Sequence, residues 1–142
     1  MKTLGFTGTR NGMTPAQKAT VRTLLYTERP DFCVHGDCIG ADEDFDTICS
    51  LSNIPRGIRP CTFENMRAYC DEKGAEVLSE PINPMQRNRD IIAQVDVLIG
   101  CPPNYIMLPR GGTWATIRYG LKKGIPVYVV KPDGELWKKE ER

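Results

Sequence analysis

The sequence predicts one doubly wound α/β domain, a mostly parallel sheet with helices on both faces. Three observations lead there. Short apolar runs alternate with amphipathic stretches of helical length along nearly the whole chain. Glycine-rich turns follow several of those runs, where a βαβ unit crosses from strand to helix. No internal repeat, low-complexity segment or linker divides the 142 residues, so no second domain is expected.

The elements read in order as follows. Thr3 to Thr7 is a short apolar strand. Thr14 is an N-cap, Pro15 occupies the first helical position, and Gln17 completes a Thr-x-x-Gln capping box. The helix from Pro15 to Glu28 turns Val21, Leu24 and Leu25 inward, and Pro30 closes it. Phe32 to His35 is the second strand. Ala41 to Ser52 is a helix whose inner face is Phe45, Ile48 and Cys49. Pro55 and Gly57 interrupt the run from Ile54 to Arg59, which argues for an edge strand. Phe63 to Lys73 reads as a short helix ended by Gly74, and Ala75 to Leu78 as another strand. Asn83 and Pro84 repeat the cap-plus-proline start, opening a helix with Ile91 and Ile92 inward. Val95 to Ile99 is a strand, broken at Gly100-Cys101-Pro102-Pro103. Gly112 or Thr113 to Lys123 is a helix with Gly124 as its C-terminal glycine, and Ile125 to Val130 is the most β-like run. Residues 1–132 thus form the domain. Residues 133–142 are a charged tail expected to fray, with Leu136 and Trp137 as the residues able to dock.

Composition narrows the function. Apolar residues make up 40% and charged residues 26%, ordinary for a globular domain, and the net charge of +1 provides no field for nucleic acid or an anionic membrane. No apolar run reaches membrane-spanning length, and the N-terminus lacks the apolar core of a signal peptide. A cytoplasmic location is expected. Six cysteines include no C-x-x-C pair and have one histidine, His35, for company, so no metal site is expected. They read as free thiols, with Cys33 and Cys49 in the core and Cys38 and Cys101 in loops on the ligand face.

Four loops carry residues that the fold alone does not require. The first is Thr7-Gly8-Thr9-Arg10. Its glycine lets backbone N–H groups approach a ligand, and Thr7, Thr9 and Arg10 add side-chain donors; the same loop also suits a tight strand–helix turn. Its spacing is neither G-x-G-x-x-G nor a Walker A loop. The second is His35-Gly36-Asp37-Cys38-Ile39-Gly40-Ala41-Asp42, where Asp42 either caps the next helix or accepts hydrogen bonds from a ribose. The third is Arg87-Asn88-Arg89 in the first turns of a helix. Arginines there oppose the helix dipole, so local stability does not explain them; an anionic ligand or a carboxylate such as Asp90 or Asp96 would, and a merely solvated helix face is the alternative. The fourth is Pro109-Arg110-Gly111-Gly112-Thr113-Trp114-Ala115-Thr116, in which Gly111-Gly112-Thr113 opens a helix as a second phosphate cradle. Together they make a nucleotide-like small molecule the leading ligand.

Taken in this order, Thr7-Gly8-Thr9-Arg10, His35-Gly36 with Gly40-Ala41-Asp42, Arg87-Asn88-Arg89 before Asp96, and Gly111-Gly112-Thr113 resemble the SLOG superfamily. It includes the Lonely Guy phosphoribohydrolases, the DNA-processing protein A family and small nucleotide-ligand sensor domains. The resemblance runs from Gly5 to about Val130 and is closest to the small single-domain members. It implies a Rossmann-like sheet, a bound nucleotide or nucleotide derivative, and a homodimer or higher homo-oligomer. In the phosphoribohydrolase branch an arginine and a glutamate cut an N-glycosidic bond. Arg87 matches that arginine, but Trp114, Ala115 and Thr116 stand where the glutamate would follow Gly112-Thr113. Glycosidic cleavage passes through an oxocarbenium-like state that needs a nearby carboxylate, and Asp42 and Asp37 are the crevice residues able to substitute.

Two functions follow as expectations. The first is binding of a nucleotide or nucleotide-derived ligand for sensing or sequestration, by Thr7, Gly8, Thr9, Arg10, Gly36, Gly40, Asp42, Arg87, Asn88, Arg89, Gly111, Gly112 and Thr113, with no cofactor. The alternative is an N-glycoside hydrolase using Arg87 and Asp42. The missing glutamate favours the first. Nucleic-acid binding is the weakest reading, because no basic stripe is visible. Tyr105 to Leu108, an apolar stretch between two ligand-side loops, serves either as a dimer contact or as a lid.

Overall fold

The computed structural model describes residues 1–139. Its chain order is β1 (Thr3–Gly8), α1 (Pro15–Glu28), β2 (Phe32–His35), α2 (Ala41–Leu51), β3 (Arg56–Ile58), β4 (Glu76–Val77), α3 (Pro84–Gln94), β5 (Val97–Cys101), α4 (Gly112–Lys123), β6 (Val127–Val130) and β7 (Leu136–Lys139). The seven strands form one sheet in the order β4-β3-β2-β1-β5-β6-β7. All neighbours are parallel except β6 and β7. This is the doubly wound α/β fold that the alternation predicts.

Strand period 2 divides the core. Leu4 and Phe6 of β1 face α1 and α2, where they join Val21, Leu24, Leu25, Phe45, Ile48 and Cys49 in one buried cluster. The Phe6 and Phe45 rings stack with centroids 4.3 Å apart. On the opposite face Leu98, Val127 and Val129 pack against Ile92 of α3 and Trp114 and Ile117 of α4. Gly100 belongs to β5 rather than breaking it. A Cβ there would lie 2.7 Å from Ile117, so glycine is what lets α4 close on the strand.

Local chemistry sets the boundaries. The capping box of α1 forms as expected, with Thr14 Oγ1 accepting from the Gln17 N–H and Gln17 Oε1 accepting from the Thr14 N–H, both at 3.0 Å. Gln17 is wholly buried, and its amide donates to the Pro102 and Val130 carbonyls, tying α1 to the loop after β5 and to the end of β6.

Four expectations need correction. The β3 run is interior, because Pro55 falls before the strand and its carbonyl accepts the Cys33 N–H. Gly57 lies where a Cβ would come within 2.7 Å of Leu78 and Phe32, so its role is packing; the true edge is the exposed β4. The segment read as a helix from Phe63 to Lys73 forms two 3₁₀ turns, Glu64–Met66 and Cys70–Lys73, separated by Tyr69 at φ 56°. Its backbone is claimed from outside: Asp37 accepts both the Ala68 and the Cys70 N–H. Cys101 is a buried residue of β5 rather than part of a ligand-side loop. The tail expected to fray supplies β7, whose Leu136–Lys139 pairs antiparallel with β6. Residues 140–142 of that tail lie outside the described residues.

Candidate functional site

The chain lays strands outward from β1 to β4, then returns to the other side of β1 with β5. That reversal makes the carboxyl ends of β1 and β5 the topological switch point, where open α/β sheets bind ligands. A cavity of about 540 Å³ opens there, within the usual size range of small-molecule sites. Its walls come from the loops after β1, β2 and β5 and from the first turns of α2, α3 and α4. Helix α1 does not reach it: Thr14 and Gln17 cap each other, and Thr14 Oγ1 also donates to the Pro132 carbonyl.

Of the residues singled out in the sequence, Thr7, Gly8, Thr9, Arg10, Gly36, Asp42, Arg87, Asn88, Gly111, Gly112 and Thr113 line this cavity. Gly40 and Arg89 do not. Gly40, at φ 100°, is where the first loop docks on α2, and a Cβ there would lie 2.3 Å from the Arg10 carbonyl oxygen. Arg89 is exposed and lies over the Tyr119 ring at 5.5 Å, in a neighbouring groove. Gly40→Ala therefore combines left-handed strain with a backbone clash. The expected cost is on the order of 2 kcal/mol, measured by urea unfolding of the variant against the parent.

Thr9 is more brace than donor. Its carbonyl accepts the Gly12 and Ala41 N–H groups, and its hydroxyl accepts from Asn11. Gly8 permits the close approach of this loop to α2, since a Cβ there would sit 2.5 Å from that of Ala41. On the other wall, Gly111 offers α4 no side-chain cap, and a Cβ at Gly111 or Gly112 would meet nothing within 4 Å. The first N–H groups of α4 have no partner within the helix and border open space, which is the setting of an anion cradle.

Arg87 is the centre of the site. It is 5% exposed, and Nη1 donates to the Gly36 carbonyl at 2.6 Å and the Arg59 carbonyl at 3.2 Å. Nε donates to Asn88 Oδ1 at 2.8 Å, while Nη2 meets only the Cys38 sulfur, at 3.6 Å. Glycine is needed at 36 because a Cβ would stand 2.6 Å from Nη1. Among the described residues no carboxylate pairs with this guanidinium. Both acids proposed from sequence are engaged elsewhere: Asp96 accepts the Thr3 N–H, and Asp90 accepts from Gln86.

Asp42 lies in the first turn of α2 but does not cap it. Oδ2 accepts the Cys38 N–H at 3.1 Å and so braces the loop, while Oδ1 is buried with no hydrogen-bond partner among the described residues. Burial pushes its carboxyl above the ordinary 3.8, against the opposing pull of the Arg87 guanidinium. Burial and the Asp42 charge push the Cys38 thiol up to about 12, which disfavours the thiolate at neutral pH.

Asp37 does not substitute for the missing glutamate. It is fully buried, with Oδ2 on Arg67 Nε and Oδ1 on the Cys70 N–H, both at 2.8 Å. His35 is structural: Nδ1 accepts the Asp37 N–H, so Nε2 carries the hydrogen and donates to Asp46. His35, Asp46 and Cys70 converge within 4.8 Å, but Arg56 donates to the same Asp46 oxygen at 3.0 Å and would oppose a cation there. Burial tends to raise the Asp46 carboxyl, yet the hydrogen bonds from His35 and Arg56 outweigh it and hold the group below its ordinary range.

Arg110 and Trp114 of the fourth loop, and Met66, line the cavity without having been among the expected ligand contacts. Trp114 is 3% exposed, and its indole Nε1 has no partner among the described residues. Arg110 adds a third arginine to Arg10 and Arg87, against Asp42 as the one carboxyl among the described lining residues. Met66 comes from the 3₁₀ segment and contacts Arg10 through sulfur at 3.9 Å. Trp114 and Arg110 flank Gly111-Gly112-Thr113, so adjacency to the cradle was the available signal. Nothing local marks Met66.

No family model matches the chain, and no curated protein matches it. Two solved structures do. A molybdenum cofactor binding protein from the phototrophic bacterium Rippkaea orientalis superposes with a TM-score of 0.69 at 16% identity, over 92% of this chain and 76% of that one. The structural-genomics target TM1055 superposes with a TM-score of 0.61 at 15% identity, over 89% and 72% of the two chains. No helix among the described residues is long and apolar enough to cross a membrane. What the two neighbours establish is the architecture: this chain has a Rossmann-like α/β fold.

Proposed function

We propose that the protein binds a nucleotide or nucleotide-derived anion in the cavity between the β1 and β5 loops. One observation carries the reading. Arg87 is a buried guanidinium held only by neutral groups, with Nη2 left to a weak sulfur contact. A buried cation in direct contact with no carboxylate is costly, and Asp42 across the same cavity offsets it only at longer range, so an anionic ligand has a charge to complete. The uncapped start of α4 and two further arginines add positive potential to the same cavity. A phosphate suits that surface. That one neighbour is described as a cofactor-binding protein supports a ligand-binding role, as an analogy of fold. On this reading the chain is a small cytoplasmic, SLOG-like binding protein. The homodimer implied by that resemblance is checked by size-exclusion chromatography.

Asp42 Oδ1 favours a second reading, the N-glycoside hydrolase. An unpartnered carboxyl in the same cavity as Arg87 is a stand-in for the glutamate absent after Thr113. A thermal-shift screen of nucleoside mono- and diphosphates, cyclic nucleotides, ADP-ribose and NAD separates the two readings when each hit is followed by chromatography. A raised Tm with intact ligand supports binding; release of a free base supports hydrolysis; no shift from any compound rejects both.

Asp42 also predicts a pH effect. Its raised carboxyl means that the folded state holds a proton that the unfolded chain has released. Stability is therefore greatest below about 3.8 for this group and falls as pH rises through the raised value. Asp42→Asn removes that contribution. The decline of Tm between pH 4 and pH 8 should be shallower in the variant, measured by differential scanning calorimetry, and an unchanged slope would refute the assignment.

A further inference from the structure

A second cavity, of about 410 Å³, lies beside the first in the groove between α3 and α4. The two share Pro84, Asn88, Gly111 and Gly112 as a common wall. Because a Cβ at either glycine would meet nothing within 4 Å, no side chain fills the gap between them. The second cavity differs in character. Its lining is mostly apolar, with Met85, Ala115 and the Tyr119 ring. Two cations lie over that ring, Arg89 at 5.5 Å and Lys123 at 5.3 Å. Among the described residues neither Arg89 nor Lys123 pairs with a carboxylate. Of the two cations Arg89 lines the groove itself, and a tyrosine ring beside a guanidinium suits a flat ring joined to an anionic linker.

We propose that this groove is a second subsite of the same ligand, taking a planar group attached beyond its phosphates. The inference rests on the nucleotide reading and sharpens it: the ligand is of the dinucleotide class, with phosphates against Arg87 and the start of α4 and a second ring against Tyr119. The passage between the two parts runs over Gly111, whose φ of 104° itself requires glycine, and Gly112, where the absence of a side chain leaves the way open.

Isothermal titration with ADP, ADP-ribose and diadenosine diphosphate tests it. The three share an adenosine diphosphate; ADP-ribose adds a sugar, and diadenosine diphosphate adds a sugar and a ring. Base–aromatic stacking makes diadenosine diphosphate bind about tenfold or more tightly than ADP-ribose. Tyr119→Ala should erase that gap, and Tyr119→Phe should keep it. Ala115 is an exposed position on α4, so Ala115→Trp fills the groove without touching the core and should erase the gap as well. Equal affinity for ADP-ribose and diadenosine diphosphate in the parent, or a gap that survives both Tyr119→Ala and Ala115→Trp, overturns the proposal while leaving nucleotide binding intact. Absence of binding by all three overturns the nucleotide reading together with it. If the parent is a dimer that Ala115→Trp converts to a monomer, and no gap exists, the groove is a subunit contact and the proposal fails.

Discussion

Arg87→Met should weaken binding of any nucleotide ligand by about thirtyfold to a few thousandfold, the equivalent of about 2–5 kcal/mol for removing one partner of a buried charge pair. The magnitude follows from burial. Water cannot replace the guanidinium where Arg87 sits 5% exposed, so a phosphate that loses it is left desolvated and unpaired. The effect on the free protein should be much smaller. Arg87 has no carboxylate partner among the described residues, and its partners Gly36 and Arg59 are neutral carbonyls, so the variant leaves no stranded charge behind. The expected pattern is a Tm a few degrees below the parent's without ligand, since the buried Gly36 carbonyl loses its donor, and a nearly abolished ligand-induced shift. Arg87→Lys should fall between, because an ammonium keeps the charge but cannot donate to two carbonyls and a phosphate in one fork. Full ligand affinity in Arg87→Met would remove the basis of the proposed function.

Asp37→Ala should produce the largest loss of stability, about 3–5 kcal/mol, the usual cost of breaking a buried ion pair from one side. Three interactions at this residue hold the 3₁₀ segment to the sheet: Arg67 on Oδ2, the Cys70 N–H on Oδ1, and the Ala68 N–H on the Asp37 carbonyl at 2.7 Å. The first two go with the side chain. Alanine must also hold the left-handed φ of 61°, which Asp and Asn tolerate better. At about 2–4 °C per kcal/mol for a chain near this size, Tm should fall by roughly 10 °C, read by calorimetry. Asp37→Asn keeps the backbone preference and one acceptor, so its loss should be smaller. Because the same segment carries Met66 into the cavity wall, Asp37→Ala should also weaken ligand binding without touching the ligand.

These two residues show which parts of the molecule were legible in the sequence. Helix α1 was read to the residue, because Thr14, Pro15 and Gln17 encode its start in local chemistry. The cavity was legible in outline for the same reason: glycine-rich turns after strands are local features, and topology brings them together. Arg87 was found as a violation, a cation at the wrong end of a helix. What was not legible depends on distant neighbours. The segment from Phe63 to Lys73 carries helical spacing, yet Asp37, some 30 residues earlier, takes its N–H groups. Asp37 itself read as a crevice acid because no local signal pairs it with Arg67. Gly57 looked like a strand breaker, and only the side chains of Leu78 and Phe32 make it a packing glycine.

The antiparallel β7 has a consequence for how the molecule behaves among its own copies. Without it, β6 would present Val127-Tyr128-Val129-Val130, an uncharged β-branched run, as an open edge. Such an edge templates strand addition from another chain and is a common seed of aggregation. With β7 in place, the rim of the sheet is Leu136-Trp137-Lys138-Lys139, and its lysine charges repel a second copy approaching edge to edge. The charged C-terminal segment thus covers the open edge of β6, the strand next to β5, whose carboxyl end borders the cavity.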